Sequence, residues 1–471
     1  MLTLSRRLIR SLRTVFGRAG EGSRRPRSPQ VSFQADQQGL KIQCRAEDFG
    51  VEYQMAGPQP SMQFTIPLES LREFESSKDR PVTLSREGKI VVAQWDDHGI
   101  PQRNEFDVAD DRHAQPLAVP AELVQIGNQE VFPMLADVTK CCANDHGRYA
   151  LNCIQLRGKQ GEAAATDGRQ LLVVGGIDWP WQDDVLVLGS RLFASQELDR
   201  ADPVSVGRSD SHVVFRIGLW TIWLPIAKDV KFPNLENVIP NPDFSMTRIA
   251  LSRGDAEFLG EMIPRLPRDE DTELPVTMHI NGQAVIRARG KSGPIMELTL
   301  ANSTTTGPEL QLKVGRDLLR RAVQLGFHDI RFVDDKMPVV CLDGQRRFIW
   351  QPLGSNRALG AEPDAVRISS PLAAASSVSQ VQKERPIIPM KTTSSPPVVQ
   401  SAPASAQATS AAATSNEGPS DPIAVAQALK GRIREALTDV SDLIVSLKRE
   451  RRKNQALRST LASLRELQKV A

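Results

Sequence analysis

Apolar residues along this chain recur in two rhythms, and their succession repeats three times. Near-alternate apolar positions in 64–68, 186–188 and 310–314 predict strands. Each is followed by a few residues at helical spacing: Leu68-Glu69-Ser70-Leu71-Arg72-Glu73-Phe74, Ser190-Arg191-Leu192-Phe193 and Arg316-Asp317-Leu318-Leu319. Two strands divided by a turn then close each segment, at 82–84 and 89–93, at 204–206 and 212–215, and at 329–332 and 338–341. Equivalent positions Val82, Val204 and Ile330 lie 122 and 126 residues apart. That period is too long for a stacked solenoid, so it predicts tandem α+β domains.

Between the first two repeats, Arg148-Tyr149-Ala150-Leu151-Asn152-Cys153-Ile154 leads to Ala165-Thr166-Asp167-Gly168-Arg169-Gln170-Leu171. Apolar positions 149, 151, 153/154 and 156 approach period two, and Gly158-Lys159-Gln160-Gly161 supplies a turn, so an antiparallel ribbon is expected. Thr166-Asp167-Gly168 makes a second tight turn, because glycine tolerates positive φ and aspartate bonds its own backbone.

Two stretches have helical spacing. At the start, Leu8, Ile9, Leu12, Val15 and Phe16 share one face, with Arg6, Arg10 and Arg13 on the other. Three readings stand for this segment: a helix of the first domain, a mobile basic arm, or an amphipathic helix on acidic lipid. The arginines interrupt any signal-peptide core. At the far end, Ile423, Ala426, Ile433, Leu437, Val440, Ile444 and Leu447 form a stripe that Leu457, Leu461, Leu464 and Leu467 continue, predicting a basic amphipathic helix over 422–471, as a coiled coil or helical hairpin. Between them lies a Ser/Ala/Pro/Thr/Gln-rich stretch whose composition predicts a disordered linker, assigned to 355–421. The expected organisation is domain one at 1–113, domain two at 116–240, domain three at 245–354, then linker and helix.

Charge changes this picture. The net +3 conceals basic ends: residues 1–30 carry eight arginines against Glu21 alone, and 430–471 carry eleven Lys/Arg against five acids. The body between is acidic. Block-wise charge of this kind points to polyanion contact. Five cysteines without a CxxC pair fit reduced thiols in a cytosolic protein. No apolar run reaches the length of a membrane span.

Catalytic chemistry finds little support. Six histidines show no metal spacing, and neither a GxxxxGK[ST] phosphate loop nor a GxSxG nucleophile occurs. Asp183-Asp184 and Asp334-Asp335 read as solvated turns, and Asp167 as a turn residue. No cofactor, metal or small-molecule substrate is expected.

The RYxLN…ATDG pairing at Arg148–Asn152 and Ala165–Gly168 resembles the bacterial sliding clamp, the β subunit of DNA polymerase III. Phe232-Pro233-Asn234-Leu235-Glu236-Asn237-Val238-Ile239-Pro240 resembles that family's FP-x-y-x-x-V-[LI]-P segment between its second and third domains. The resemblance covers domains two and three well and domain one in its second half. It implies three clamp domains, with antiparallel sheets outside and helices lining a lumen. Two chains would close head to tail as a homodimer around double-stranded DNA, without sequence preference, in the cytoplasm at the nucleoid. Lumen contacts would come from Arg72, Lys140, Arg148, Arg191, Arg316 and Arg320, joined by Arg6, Arg10 and Arg13 if the opening helix belongs. The resemblance also implies a groove for clamp-binding peptides of polymerase or loader subunits, carried by Leu151, Thr166, Gly168, Leu171, Pro233, Val238 and Ile349. Here the chain departs from the family: Arg169-Gln170 stands for His-Arg, Asn237 for an arginine and Gln351 for a methionine. More than a hundred residues also follow where the family chain ends. Two rivals are a degenerate paralogue acting as a non-ring scaffold, and a peripheral membrane protein held by its Arg-rich ends.

Overall fold

In the computed structural model the described residues are 1–20, 29–46, 49–109, 117–143, 150–198, 202–228, 230–241, 243, 246–268 and 274–372. The expected helix over 422–471 lies outside them. One order of elements runs three times. Strand Leu2–Ser5 leads to helix α1 (Arg6–Ala19), then strands Gln30–Ala35, Gly39–Arg45, Gly50–Ala56 and Met62–Pro67. A helical turn at Leu68–Ser70 runs into α2 (Leu71–Phe74), and strands Pro81–Glu87, Ile90–Asp97 and Ile100–Asp107 follow. In the second round α3 (Val131–Thr139) takes the place of α1, and a single 3-10 turn at Arg191–Ala194 takes that of α2. In the third these places fall to α4 (Arg253–Met262) and α5 (Arg316–Gln324). The second round holds one turn where a short amphipathic helix was expected. Its anchors are only Leu192 and Phe193, and Phe193 packs edge-on to Phe132 and Phe215, 5.4 and 5.9 Å away.

Sheets cross from one round to the next. The fourth strand of the first round, Gly50–Ala56, pairs antiparallel with the last strand of the second, Trp220–Pro225. Across this seam Tyr53 and Trp220 are directly paired, with ring centroids 5.0 Å apart. The fourth strand of the second round, Gln170–Val174, pairs in the same way with the last strand of the third, Arg346–Trp350. The result is an eight- and a nine-stranded sheet, each built from two rounds, flanked by a four- and a five-stranded sheet.

The opening helix belongs to the core. Ile9, Leu12, Val15 and Phe16 have no exposed surface, and Ser5 caps α1 by accepting from the Arg7 N–H at 3.2 Å. An apolar face closed in this way is unavailable to lipid, so the mobile-arm and membrane-helix readings fall. The linker expected from residue 355 is also corrected over its first part. Val366–Ser369 is a strand, pairing parallel with Met296–Leu300. Its V-R-I-S alternation places Ile368 against the core, and backbone bonds link Val366 N to Ile295 O and Ser370 N to Thr299 O.

Two carboxylates tie the third round together. Burial alone would raise the pKa of Asp255, but hydrogen bonds from Ser303, Ser370 and Asn302 outweigh it and hold the carboxyl below its usual range. Asp329 is likewise held low, because Arg331 and Arg248 outweigh its burial. A folded-state pKa below the unfolded value stabilises above roughly pH 3.9, the ordinary aspartate pKa, and that stability is lost as pH falls through the folded pKa. Denaturant midpoints measured from pH 6 down to pH 3 are therefore expected to fall, and to fall less steeply in Asp255→Asn.

Candidate partner groove and DNA-facing helices

The seam between Gln170–Val174 and Arg346–Trp350 is covered on both faces. Leu172, Val174, Phe348 and Trp350 point into the main core. On the other face Ala164, Leu171, Val173, Val340 and Ile349 form a separate small core closed by Leu235, which is 3% exposed. Leu235 comes from the connecting segment, where Asn234 accepts from the Glu236 N–H and starts a 3-10 turn at Leu235–Asn237. An ion network fixes that segment to the sheet. Arg157 reaches Glu162 at 2.6 Å and Glu236 at 2.7 Å, and Arg347 reaches Glu162 at 2.5 Å.

The Thr166–Gln170 turn is built as its residues predict. Asp167 Oδ1 accepts from the N–H groups of Arg169 and Gln170, and Gly168 has φ +89°. Thr166 Oγ1 donates to Gln170 O at 2.6 Å and accepts from Gly168 N at 3.0 Å. Gln170 is buried, donating to Asp167 Oδ2 and accepting from Arg321 Nη1, each at 2.7 Å. Arg321 Nη1 also donates to Lys140 O at 2.9 Å.

These contacts divide the groove residues read from sequence. Thr166, Gln170, Leu171 and Ile349 are closed off within the turn, the seam and the small core. Gly168, Arg169, Asn237, Val238 and Gln351 are exposed, and Leu151 and Pro233 are half-buried. Gln351 anchors the seam's end, its N–H donating to Arg169 O and its side chain to Lys336 O. The sequence reading missed Leu235, the residue that closes the sheet face. It also missed Arg321, which lies 151 residues from Gln170, so no local signal could link the two.

Two of the proposed phosphate contacts are corrected. Arg6 is 7% exposed and donates to the carbonyls of Phe74, Glu75 and Asp96, with its guanidinium over Trp95. Arg316 is 3% exposed and donates to Leu266 O and Pro267 O. Each is the first residue of its helix, and helical side chains lean toward the N-terminus. Each therefore points back at the carbonyl end of the companion helical segment, where a cation is favoured. Arg13 pairs with Glu75, Lys140 pairs with Asp137, and Arg320 is half-buried. Arg148 lies outside the described residues. Arg10, Arg72 and Arg191 are exposed, as is Arg7, which the sequence reading passed over. Their segments adjoin, since α1 contacts both α2 and Arg191–Ala194. On α4 the exposed Arg253 is paired with Glu257 and Glu261 is exposed as well, whereas α1 carries no acid, so basic surface unbalanced by acid is concentrated on α1.

Among the described residues no group of His, Cys, Asp and Glu could hold a metal ion, and no helix is long and apolar enough to cross a membrane. None of the five cysteines is in a disulfide, and burial pushes Cys141 up to about 12.

No family model and no curated protein matches the sequence. Solved structures do match. A DNA polymerase III subunit beta from Pseudomonas aeruginosa aligns with a TM-score of 0.61 at 18% identity, over 75% of this chain and 99% of that one. A sliding clamp from the same organism, bound to griselimycin, gives 0.62 at 15% identity, over 75% and 98%. A putative DNA polymerase III beta subunit from Eubacterium rectale gives 0.61 at 15%, over 75% and 99%. The chain has the sliding-clamp fold.

Proposed function

We propose that this protein is a non-catalytic clamp that associates with duplex DNA and tethers partner proteins to it. The observation that carries this reading is the clamp fold joined to exposed arginines on adjoining helical segments, Arg7, Arg10, Arg72 and Arg191. Point-charge contacts to phosphate carry no sequence information and suit a sliding contact. In this reading 1–113, 116–240 and 245–354 are clamp domains, two chains close head to tail, and the complex works at the nucleoid. Partner peptides would dock on the exposed rim of the groove, at Leu151, Gly168, Arg169, Pro233, Asn237, Val238 and Gln351, where an apolar surface borders a few polar groups. Tethering raises a partner's effective concentration at the DNA without any new chemistry.

A second reading, a non-ring scaffold, is favoured by one observation: strand Val366–Ser369 lies on the edge of Met296–Leu300. Topology separates the two. The full chain with Ile368→Pro, which unseats that strand, is expected to stay on nicked circular plasmid in high salt and to leave once the plasmid is linearised. Equal salt sensitivity on circular and linear DNA would leave the scaffold reading.

A further inference from the structure

The three rounds share one rule of assembly. The fourth strand of one round pairs antiparallel with the last strand of the next, at Gly50–Ala56 with Trp220–Pro225 and at Gln170–Val174 with Arg346–Trp350. Among the described residues the rule leaves two strands without such a partner: the fourth strand of the last round, Met296–Leu300, and the last strand of the first, Ile100–Asp107. Among the described residues Ile100–Asp107 is an open sheet edge of eight residues, with Ile100 62% exposed. Met296–Leu300 is covered by Val366–Ser369, which runs parallel where both in-chain seams are antiparallel.

We propose that Val366–Ser369 is a self-cap. It occupies the edge where strand Ile100–Asp107 of a second copy would pair, so it sets whether two chains join. The identity of the competitor rests on the clamp reading above. The seating of the cap is a specific one. Ser370 is 3% exposed, donates to the buried Asp255 carboxylate at 2.5 Å and accepts from Ala301 N at 2.9 Å. Arg367 pairs with Glu297 at 3.3 Å, and Gln311 Nε2 holds Leu359 O at 2.9 Å on the way in. The cap's outer side offers four residues, of which Arg367 is charged, and Pro371 stops it, so it is a poor template for another strand.

Local concentration decides the competition. The cap begins 16 residues after strand Arg346–Trp350 ends, so its effective concentration at the edge is on the order of millimolar. A second copy at micromolar concentration loses to it unless the cap is released.

The test uses the full-length chain in three forms, read by light scattering over a concentration series. Wild type is expected to be a monomer at low micromolar concentration. Ile368→Pro with Ser370→Asp removes a backbone donor and sets a second carboxylate against Asp255. Its dimer affinity is expected to rise about tenfold or more over wild type. Thr299→Cys with Ser369→Cys, facing residues in the parallel register, is expected to oxidise to a locked monomer and to behave as wild type when reduced. Failure of that disulfide to form overturns the cap. A locked form that dimerises as well as the released form also overturns it, and leaves the clamp reading standing. A released form that keeps its melting temperature yet stays monomeric overturns the competition, and the ring reading falls with it.

Discussion

Replacing Arg7, Arg10 and Arg72 with glutamine is expected to lower affinity for duplex DNA by about 10²–10³-fold near ~0.1 M salt. Each neutralised phosphate contributes about 0.9 to the slope of log K against log salt, so three lost contacts lower that slope by about 2.7. The loss is expected to be equal for duplexes of unrelated sequence, since phosphate contacts position a protein without reading bases. All three side chains are exposed, so the folded state is expected to change little.

Arg6→Ala provides the contrast. Its guanidinium serves three carbonyls and the Trp95 ring, so its loss leaves buried acceptors unpartnered. The expected cost is about 2–4 kcal/mol of stability with no change in salt slope. Fluorescence anisotropy across a salt series, with a denaturant titration of each variant, reads both effects. A slope unchanged in the triple variant would remove the first-round helices from the DNA contact.

Arg6 and Arg7 show where the sequence was legible and where it was not. The helix and its buried stripe could be read, because Ile9, Leu12, Val15 and Phe16 recur at helical spacing. The partners of Arg6 could not, because a residue at the first helical position points back to whatever the fold brings there. For Arg6 that is Phe74 and Glu75, nearly seventy residues away. The ribbon at 153–174 was legible because its turns are local, with Asp167 and Gly168 carrying their own geometry. The seam it makes with Arg346–Trp350 joins residues far apart in the chain, and tertiary packing alone selects that register. Val366–Ser369 was hidden differently. Its alternation was on the page, but four residues beside a Ser/Pro-rich stretch carry less weight than the composition around them.

Leu235→Ala is expected to cost about 2–5 kcal/mol, the usual range for emptying a buried leucine site. Leu235 is the fully buried residue of the connecting segment in the small core with Leu171 and Ile349, while Phe232 and Ile239 pack against that core only partly buried. By comparison, Glu236→Gln removes an ion pair whose carboxylate is 71% exposed, and such pairs are worth about 0–1 kcal/mol. The apolar side chain, more than the ion pair, therefore holds the segment on the sheet. Calorimetry is expected to show a Tm lowered by roughly 2–4 °C per kcal/mol lost at ordinary domain size. Protease cleavage within 232–240 is expected to accelerate in Leu235→Ala and to stay at the wild-type rate in Glu236→Gln. The consequence reaches the groove, because Asn237 and Val238 follow directly on this anchor and form its rim. If Leu235→Ala melted within about 1 kcal/mol of wild type, the segment would not be seated as described, and the groove would lose its floor.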